Sequence, residues 1–265
     1  MSRQLLFYSK AVPVSSQKHG DLSVKTGGDF AFARSVNSVP LTTVEFRRAT
    51  SEYAVVFAGS DEAVMPVAIL GAESDQNLFV KEDGSWGGGY VPAFVRRYPF
   101  VFSGNDDGTT FTLCVDDSFG GCNREGRGER LFDADGARTK YLETVLNFVK
   151  EYQTQFLRTR AFCARLKELD LLEPMQAQFT RPDGRRSNLT GFMTVNRAKL
   201  KELDDQVLAT MAKNDELELI YLHLQSMQNF GPMLQRIGAK PVAEAPAEGD
   251  APPAEGEGDG APPIH

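Results

Sequence analysis

The densest run of side chains with chemical potential is Asn77–Phe100. It holds the only tryptophan, Trp86, then three successive glycines, Tyr90, and the adjacent pair Arg96 and Arg97. Trp and Tyr offer flat apolar faces with one polar handle each. Arginine stacks on such faces or forks onto a carboxylate. Glycine lets backbone approach a ligand closely. Together Trp86, Tyr90, Arg96 and Arg97 suit a small pocket for an aromatic or anionic group. The same residue types also have an ordinary use: aromatics fill cores, and arginines pair with carboxylates on the protein.

Other reactive residues are sparse. The histidines are His19, His223 and terminal His265. His223 lies in Leu219–Ser226, on an expected helix near its apolar face, where a satisfied structural histidine is the usual outcome and acid/base work the alternative. No histidine pair has metal-ligand spacing, so no metal site is expected. Asp116-Asp117-Ser118 ends an expected strand. Adjacent carboxylates can hold a cation, but Asp at a strand end commonly caps the backbone of a turn. Phosphate loops of the forms G-x-x-x-x-G-K-[ST] and G-x-G-x-x-G are missing, as is a G-x-S-x-G elbow. Catalytic residues stay unknown, and no cofactor is expected.

The elements that must position these groups divide the chain. In the first half, Leu5–Tyr8, Ala54–Ala58, Val67–Leu70, Leu78–Val80 and Thr110–Val115 read as short strands between Gly and Asp breaks. Val67–Leu70 and Leu78–Val80 are expected to form a hairpin. Thr42–Tyr53 and Phe94–Tyr98 follow prolines and read as helices, with Pro40 near the first start and Pro99 stopping the second. The second half reads as helical. Thr139–Leu172 contains no Gly or Pro, and Leu142, Val145, Val149, Tyr152, Phe156, Thr159, Cys163 and Leu166 step alternately by three and four. Glu173-Pro174 is the expected stop. A β-like segment near Leu189–Val195 follows the turn Arg181–Gly184. Helices Arg197–Lys213 and Asp215–Asn229 follow, Gly231-Pro232 breaks, and Met233–Ile237 closes. The expected fold class is α+β: a mostly antiparallel sheet from the first half, packed against the long helix and the C-terminal helices. One domain is expected over 1–238, β-rich over 1–135 and helical over 137–238.

Composition bounds the function. The 265 residues carry a net charge of −7, but Ala239–His265 alone holds six acids and one base. The remaining residues have 28 bases and 30 acids, so no broad nucleic-acid footprint is expected. That terminal segment also holds six of the 14 prolines and no aromatic, a composition that does not fold alone; 239–265 is expected to be a disordered acidic tail. The longest uncharged apolar stretch, Ala63–Ala72, is too short for a membrane span, which needs about 18 residues. Cys114, Cys122 and Cys163 fit no zinc motif and are expected to be free thiols. The N-terminus lacks a signal-peptide core, so the expected localisation is cytoplasmic, with export by an uncleaved signal as the alternative.

Pro66–Gly71, Asn77–Val80, Gly84–Trp86 and above all Tyr90–Phe100 resemble the SapC family of bacterial proteins. Phe30–Ala33, Asn37–Leu41, Glu45-Phe46, Tyr53–Phe57, Phe132–Gly136 and Leu222–Ser226 extend the likeness over roughly Phe7–Leu234. Ala54 departs from it, where proline is expected. The resemblance implies an association with a bacterial surface array (S-layer), and a functional link to halogenase-like proteins, cupin-like proteins and outer-membrane receptors. It carries over no catalytic residue. The expectation is a soluble accessory or binding protein with an unknown protein or small-molecule partner, in a surface-layer or nutrient-uptake context. The alternatives are an enzyme acting on a peptide or small molecule, with its pocket at 86–97, and a structural subunit of a surface array.

Overall fold

The computed structural model describes residues 6–60, 64–104, 110–181, 183–238 and 240–241. Leu5, the Asp107-Gly108 turn, Pro182, residues 242–265 and thus His265 lie outside the described residues.

The strands are β1 (Ala11–Pro13), β2 (Ser23–Val24), β3 (Ser38–Pro40), β4 (Val55–Ala58), β5 (Met65–Ile69), β6 (Phe100–Gly104), β7 (Phe111–Asp116), β8 (Cys122–Asn123), β9 (Glu129–Arg130), β10 (Leu172–Thr180), β11 (Arg186–Val195) and β12 (Lys240–Pro241). The helices are α1 (Ser16–His19), α2 (Phe46–Ala49), α3 (Ala93–Arg96), α4 (Lys140–Glu168), α5 (Arg197–Lys201), α6 (Asp205–Lys213), α7 (Glu216–Ser226) and α8 (Phe230–Gln235). The main sheet has strand order β12-β10-β11-β4-β5-β3, and two three-stranded sheets have orders β1-β7-β6 and β8-β2-β9. Every pairing of these strands is antiparallel. The α+β class holds.

The central strands β4 and β5 are buried on both faces, which is why they read as unbroken apolar runs. Val55 packs toward Tyr53, Phe79, Phe94 and Tyr152; Val56 points the other way, toward Met233 and Leu234 of α8. Helix α4 is the spine. Its 29 residues extend about 43 Å at about 1.5 Å per residue, and it feeds three hydrophobic clusters: Leu142 and Val149, then Tyr152, then Phe162, Cys163 and Leu166. The side chain of Thr139 caps its start by accepting from the Leu142 N–H at 3.3 Å.

Several expectations need correction. The hairpin between Val67–Leu70 and Leu78–Val80 does not form. β5 instead pairs with β3 and β4. The Asn77 side chain bends the chain there: its Oδ1 accepts from the Phe79 N–H at 2.9 Å and its Nδ2 donates to the Ala33 carbonyl at 3.0 Å. A local side-chain partner of this kind competes with a strand ladder. Leu6 and Phe7 lie in a turn, where Phe7 packs edge-on against Phe32 and Phe94, and Tyr8 follows it outside any strand. Pro40 ends the edge strand β3, a place where its missing N–H costs nothing. The helix expected after it is one 3-10 turn, Thr43–Glu45, followed by the four residues of α2.

The second half is not purely helical. α4 stops at Glu168 because Asp170 takes a left-handed φ of 51° and the Leu171 N–H closes back onto the Leu166 carbonyl at 2.9 Å. The chain then enters β10, which carries Pro174 inside it. Strand β10 has no Val or Ile and weak intrinsic preference; its pairing with β11 over most of its length holds it. The single helix expected over Arg197–Lys213 is split into α5 and α6, and Gly231-Pro232 sits in the first turn of α8, where proline is tolerated. Lys240–Pro241, inside the expected tail, pairs with Phe179–Thr180. No helix among the described residues is long and apolar enough to cross a membrane.

Candidate functional site

Glu45 clasps two distant segments. The carboxylate is buried at the end of the 3-10 turn, and each oxygen accepts two hydrogen bonds. Oε1 receives the Tyr90 hydroxyl at 2.8 Å and the Ala93 N–H at 2.7 Å. Oε2 receives the Thr42 N–H at 2.8 Å and its hydroxyl at 2.9 Å. Four donors on one buried carboxylate make an expensive group self-sufficient. They also fix Tyr90 and the start of α3 against the turn.

The four residues singled out in sequence separate into two environments. Trp86 is half-buried and faces inward. Its ring stacks on Phe79 at 6.1 Å and meets Phe30 edge-on at 5.6 Å, while Nε1 donates to the Tyr53 hydroxyl at 3.0 Å. Tyr53 in turn donates to the Tyr90 carbonyl. Gly88 is needed here: a Cβ would come within 2.5 Å of Glu52 Oε2 and 3.1 Å of Tyr53 Oη. Arg97 is buried too, its guanidinium 4.3 Å from the Phe94 ring centre and 4.7 Å from that of Tyr152.

Tyr90 and Arg96 face a cavity of about 410 Å³, the size of a small-ligand site. Arg96 is exposed, donates to the Val91 carbonyl at 2.9 Å, and lies over the rings of Tyr90 at 5.8 Å and Phe148 at 5.3 Å. Thr42, Val44, Glu45, Arg47, Arg48 and Ala93 form one wall; Phe148, Glu151, Tyr152 and Gln155 of α4 form the other. Burial raises the Tyr152 phenol well above its ordinary value, and Arg97 only partly opposes it. Burial, then the Glu45 charge, does the same for Tyr90. Both phenols are therefore protonated donors at neutral pH. Two buried polar atoms in this wall have no hydrogen-bond partner: the Tyr152 hydroxyl and Gln155 Oε1. Such atoms are rare in folded proteins, and both lie beneath the surface of the wall.

The sequence alone does not single out Tyr152 or Gln155 as site residues. Tyr152 lies on the apolar stripe of α4 and is core there. The signal of Gln155 is a polar residue one turn on from Tyr152, on the buried side of the helix. Glu45 carries no site signal of its own in the sequence.

The remaining reactive groups are occupied, except that the buried Nε2 of His19 has no hydrogen-bond partner among the described residues. His223 is fully buried. Its Nδ1 donates to the Val55 carbonyl at 2.6 Å, and its Nε2 accepts from the Val195 N–H at 3.1 Å and the Thr194 hydroxyl at 3.0 Å. Burial lowers its pKa to about 4, so the ring is neutral and its hydrogen bonds fix one tautomer. His19 is buried, with Nδ1 accepting from the Ser15 N–H at 3.2 Å. Asp116 forms the expected backbone cap: it accepts from the N–H groups of Ser9 at 2.7 Å and Ser118 at 3.1 Å, and from the Ser118 hydroxyl at 2.5 Å. All three cysteines are free, and burial raises Cys122 to about 11 and Cys163 to about 12. Among the described residues, no group of three or more His, Cys, Asp and Glu is placed to hold a metal. A second cavity, about 720 Å³, runs along α4 beside Leu157 and Cys163, away from Tyr90 and Arg96; none of the residues lining it carries a buried polar atom without a partner.

A family model described as SapC matches residues 14–233. No curated protein matches the chain, and no solved structure does.

Proposed function

The chain belongs to the SapC family, and from that premise we propose that it is a soluble, non-enzymatic accessory protein that works by binding, in a bacterial surface-layer or nutrient-uptake context. The context is the one the family resemblance implies. Binding is supported by one observation above the others: a cavity of about 410 Å³ beside Tyr90 and Arg96, where Arg96 lies over the rings of Tyr90 and Phe148. In this reading Tyr90 and Arg96 contact the ligand directly. Trp86 and Arg97 hold the segment from behind, through Tyr53 and through the Tyr152 ring. The enzyme alternative has two acid/base candidates, His223 and His19: the ring nitrogens of His223 are spent on Val55, Thr194 and Val195, and His19 does not line the cavity.

The test is native mass spectrometry of the protein purified from its own cells, beside a Val44→Trp variant. Val44 lines the cavity and is 62% exposed, so an indole there closes the opening without disturbing the core. A small-molecule adduct present in the parent and lost in the variant is the expected result. An adduct equally held by both, or none in either, overturns the assignment of this cavity.

A further inference from the structure

The charges that line the cavity cancel, which limits the class of its occupant. Arg47 is forked onto Glu218, with Nε at 2.8 Å and Nη2 at 3.0 Å. Arg48 and Arg96 are then balanced by the carboxylates of Glu45 and Glu151. A ligand anion would meet both carboxylates, and a ligand cation both guanidinium groups. The place a cation would favour, over the rings of Tyr90 and Phe148, is already taken by Arg96, at 5.8 Å and 5.3 Å. Neither sign of charge is favoured.

The polar groups of the wall are committed to one another. The Tyr90 hydroxyl donates to Glu45 Oε1 at 2.8 Å, the Thr42 hydroxyl to Glu45 Oε2 at 2.9 Å, and Gln155 Nε2 to Glu151 Oε1 at 2.7 Å. The Tyr152 hydroxyl and Gln155 Oε1 lie beneath the surface, out of an occupant's reach. The wall therefore presents carbon and flat surface: the exposed Val44, the half-buried rings of Tyr90 and Phe148, and the planar guanidinium of Arg96. Rings and guanidinium planes pack best against another flat group.

We infer that the cavity takes a small, uncharged aromatic molecule, its ring packed against Tyr90, Phe148 and the Arg96 guanidinium and its edge against Val44. This inference rests on the reading of the cavity as a ligand site and adds the ligand's chemistry to it.

Titration of four probes of similar size, followed by ligand-observed NMR, tests it: acetophenone, cyclohexyl methyl ketone, phenylacetate and phenethylamine. The first is neutral and flat. The second is neutral without being flat, and the last two carry an anion and a cation. Acetophenone is expected to bind about fivefold more tightly than either charged probe, the scale of one partly exposed charge contact. It is expected to bind about threefold more tightly than the cyclohexyl ketone, the scale of one ring contact. Two variants read the charge balance itself. Glu151→Gln leaves two cations facing one anion, so the preference for acetophenone over phenylacetate should fall about fivefold; Arg48→Gln should do the same for the preference over phenethylamine. Both side chains are exposed, so neither change threatens the fold. Val44→Trp is expected to abolish acetophenone binding. If a charged probe binds the parent more tightly and is lost in Val44→Trp, the ligand class is wrong and the site stands. If the cyclohexyl ketone binds as tightly as acetophenone, the aromatic requirement is wrong. If no probe binds at millimolar concentration, the ligand class is likewise wrong, and the adduct comparison with Val44→Trp judges the site by itself. If acetophenone binds Val44→Trp undiminished, both the class and the site are overturned.

Discussion

The indole Nε1 of Trp86 donates to the phenol oxygen of Tyr53 at 3.0 Å, and Tyr53 passes the chain on to the Tyr90 carbonyl. The lone tryptophan thus braces the backbone that presents Tyr90 instead of reaching the cavity itself. Trp86→Ala is expected to cost about 3 kcal/mol of stability, since it deletes a ring packed on Phe79 and Phe30 and removes the donor to Tyr53. Trp86→Phe, which keeps much of the packing, is expected to cost about half of that. Urea titration checks both; a Trp86→Ala protein as stable as the parent would refute the bracing role.

Glu45→Gln keeps the shape of the clasp and removes its ability to accept four hydrogen bonds. Its NH2 end must face either the Thr42 donors or those of Tyr90 and Ala93. We expect a loss of about 2 kcal/mol from the stranded donors, read as a lower urea midpoint with an unchanged slope.

Tyr152→Phe should act in the opposite sense. The hydroxyl is buried without a partner, so deleting it is expected to raise stability by about 1 kcal/mol. A thermal melt of the ligand-free variant tests this. A lowered midpoint would mean that the hydroxyl has a partner within the fold.

His223 sets a pH dependence. Its folded pKa is depressed by burial to about 4, whereas in the unfolded chain it titrates near its ordinary 6.5. Between those values the unfolded state binds the proton and the folded state does not. Stability is therefore full above the unfolded pKa and falls as pH drops toward 4, by on the order of 3 kcal/mol if this group acts alone. The expected observation is a melting temperature that declines steadily from pH 7 to pH 4 and declines less in His223→Gln. An equal slope in that variant would place the pH dependence elsewhere.

Burial raises all three cysteine pKa values, so none is a thiolate at neutral pH. Native protein at pH 7.5 is expected to react slowly with a thiol reagent, and denatured protein to titrate three thiols. A fast-reacting native thiol, or a denatured count of one, would contradict this.

Much of the frame was legible in the sequence because its signals are local. The three-and-four stepping from Leu142 to Leu166 needs only helical periodicity, and Leu142, Val149, Tyr152, Thr159, Cys163 and Leu166 are indeed buried on one face of α4. The apolar runs that became β4 and β5 are short, rich in valine and bounded by turns. Tyr90 and Arg96 stood out because they lie six residues apart in one aromatic and cationic segment. The position of β10 was not legible, since most of its residues have weak strand preference and are held by a partner a turn away. The cavity was not legible either. Glu45 meets Tyr90 across 45 residues, and the opposite wall comes from α4, where Tyr152 and Gln155 look like core and helix surface until their surroundings are known. Sequence assigns each polar atom its capacity to donate or accept. Only the folded chain decides which atoms are left without partners, because that depends on every neighbour brought within hydrogen-bond reach, and here it buries the Tyr152 hydroxyl and Gln155 Oε1 without one.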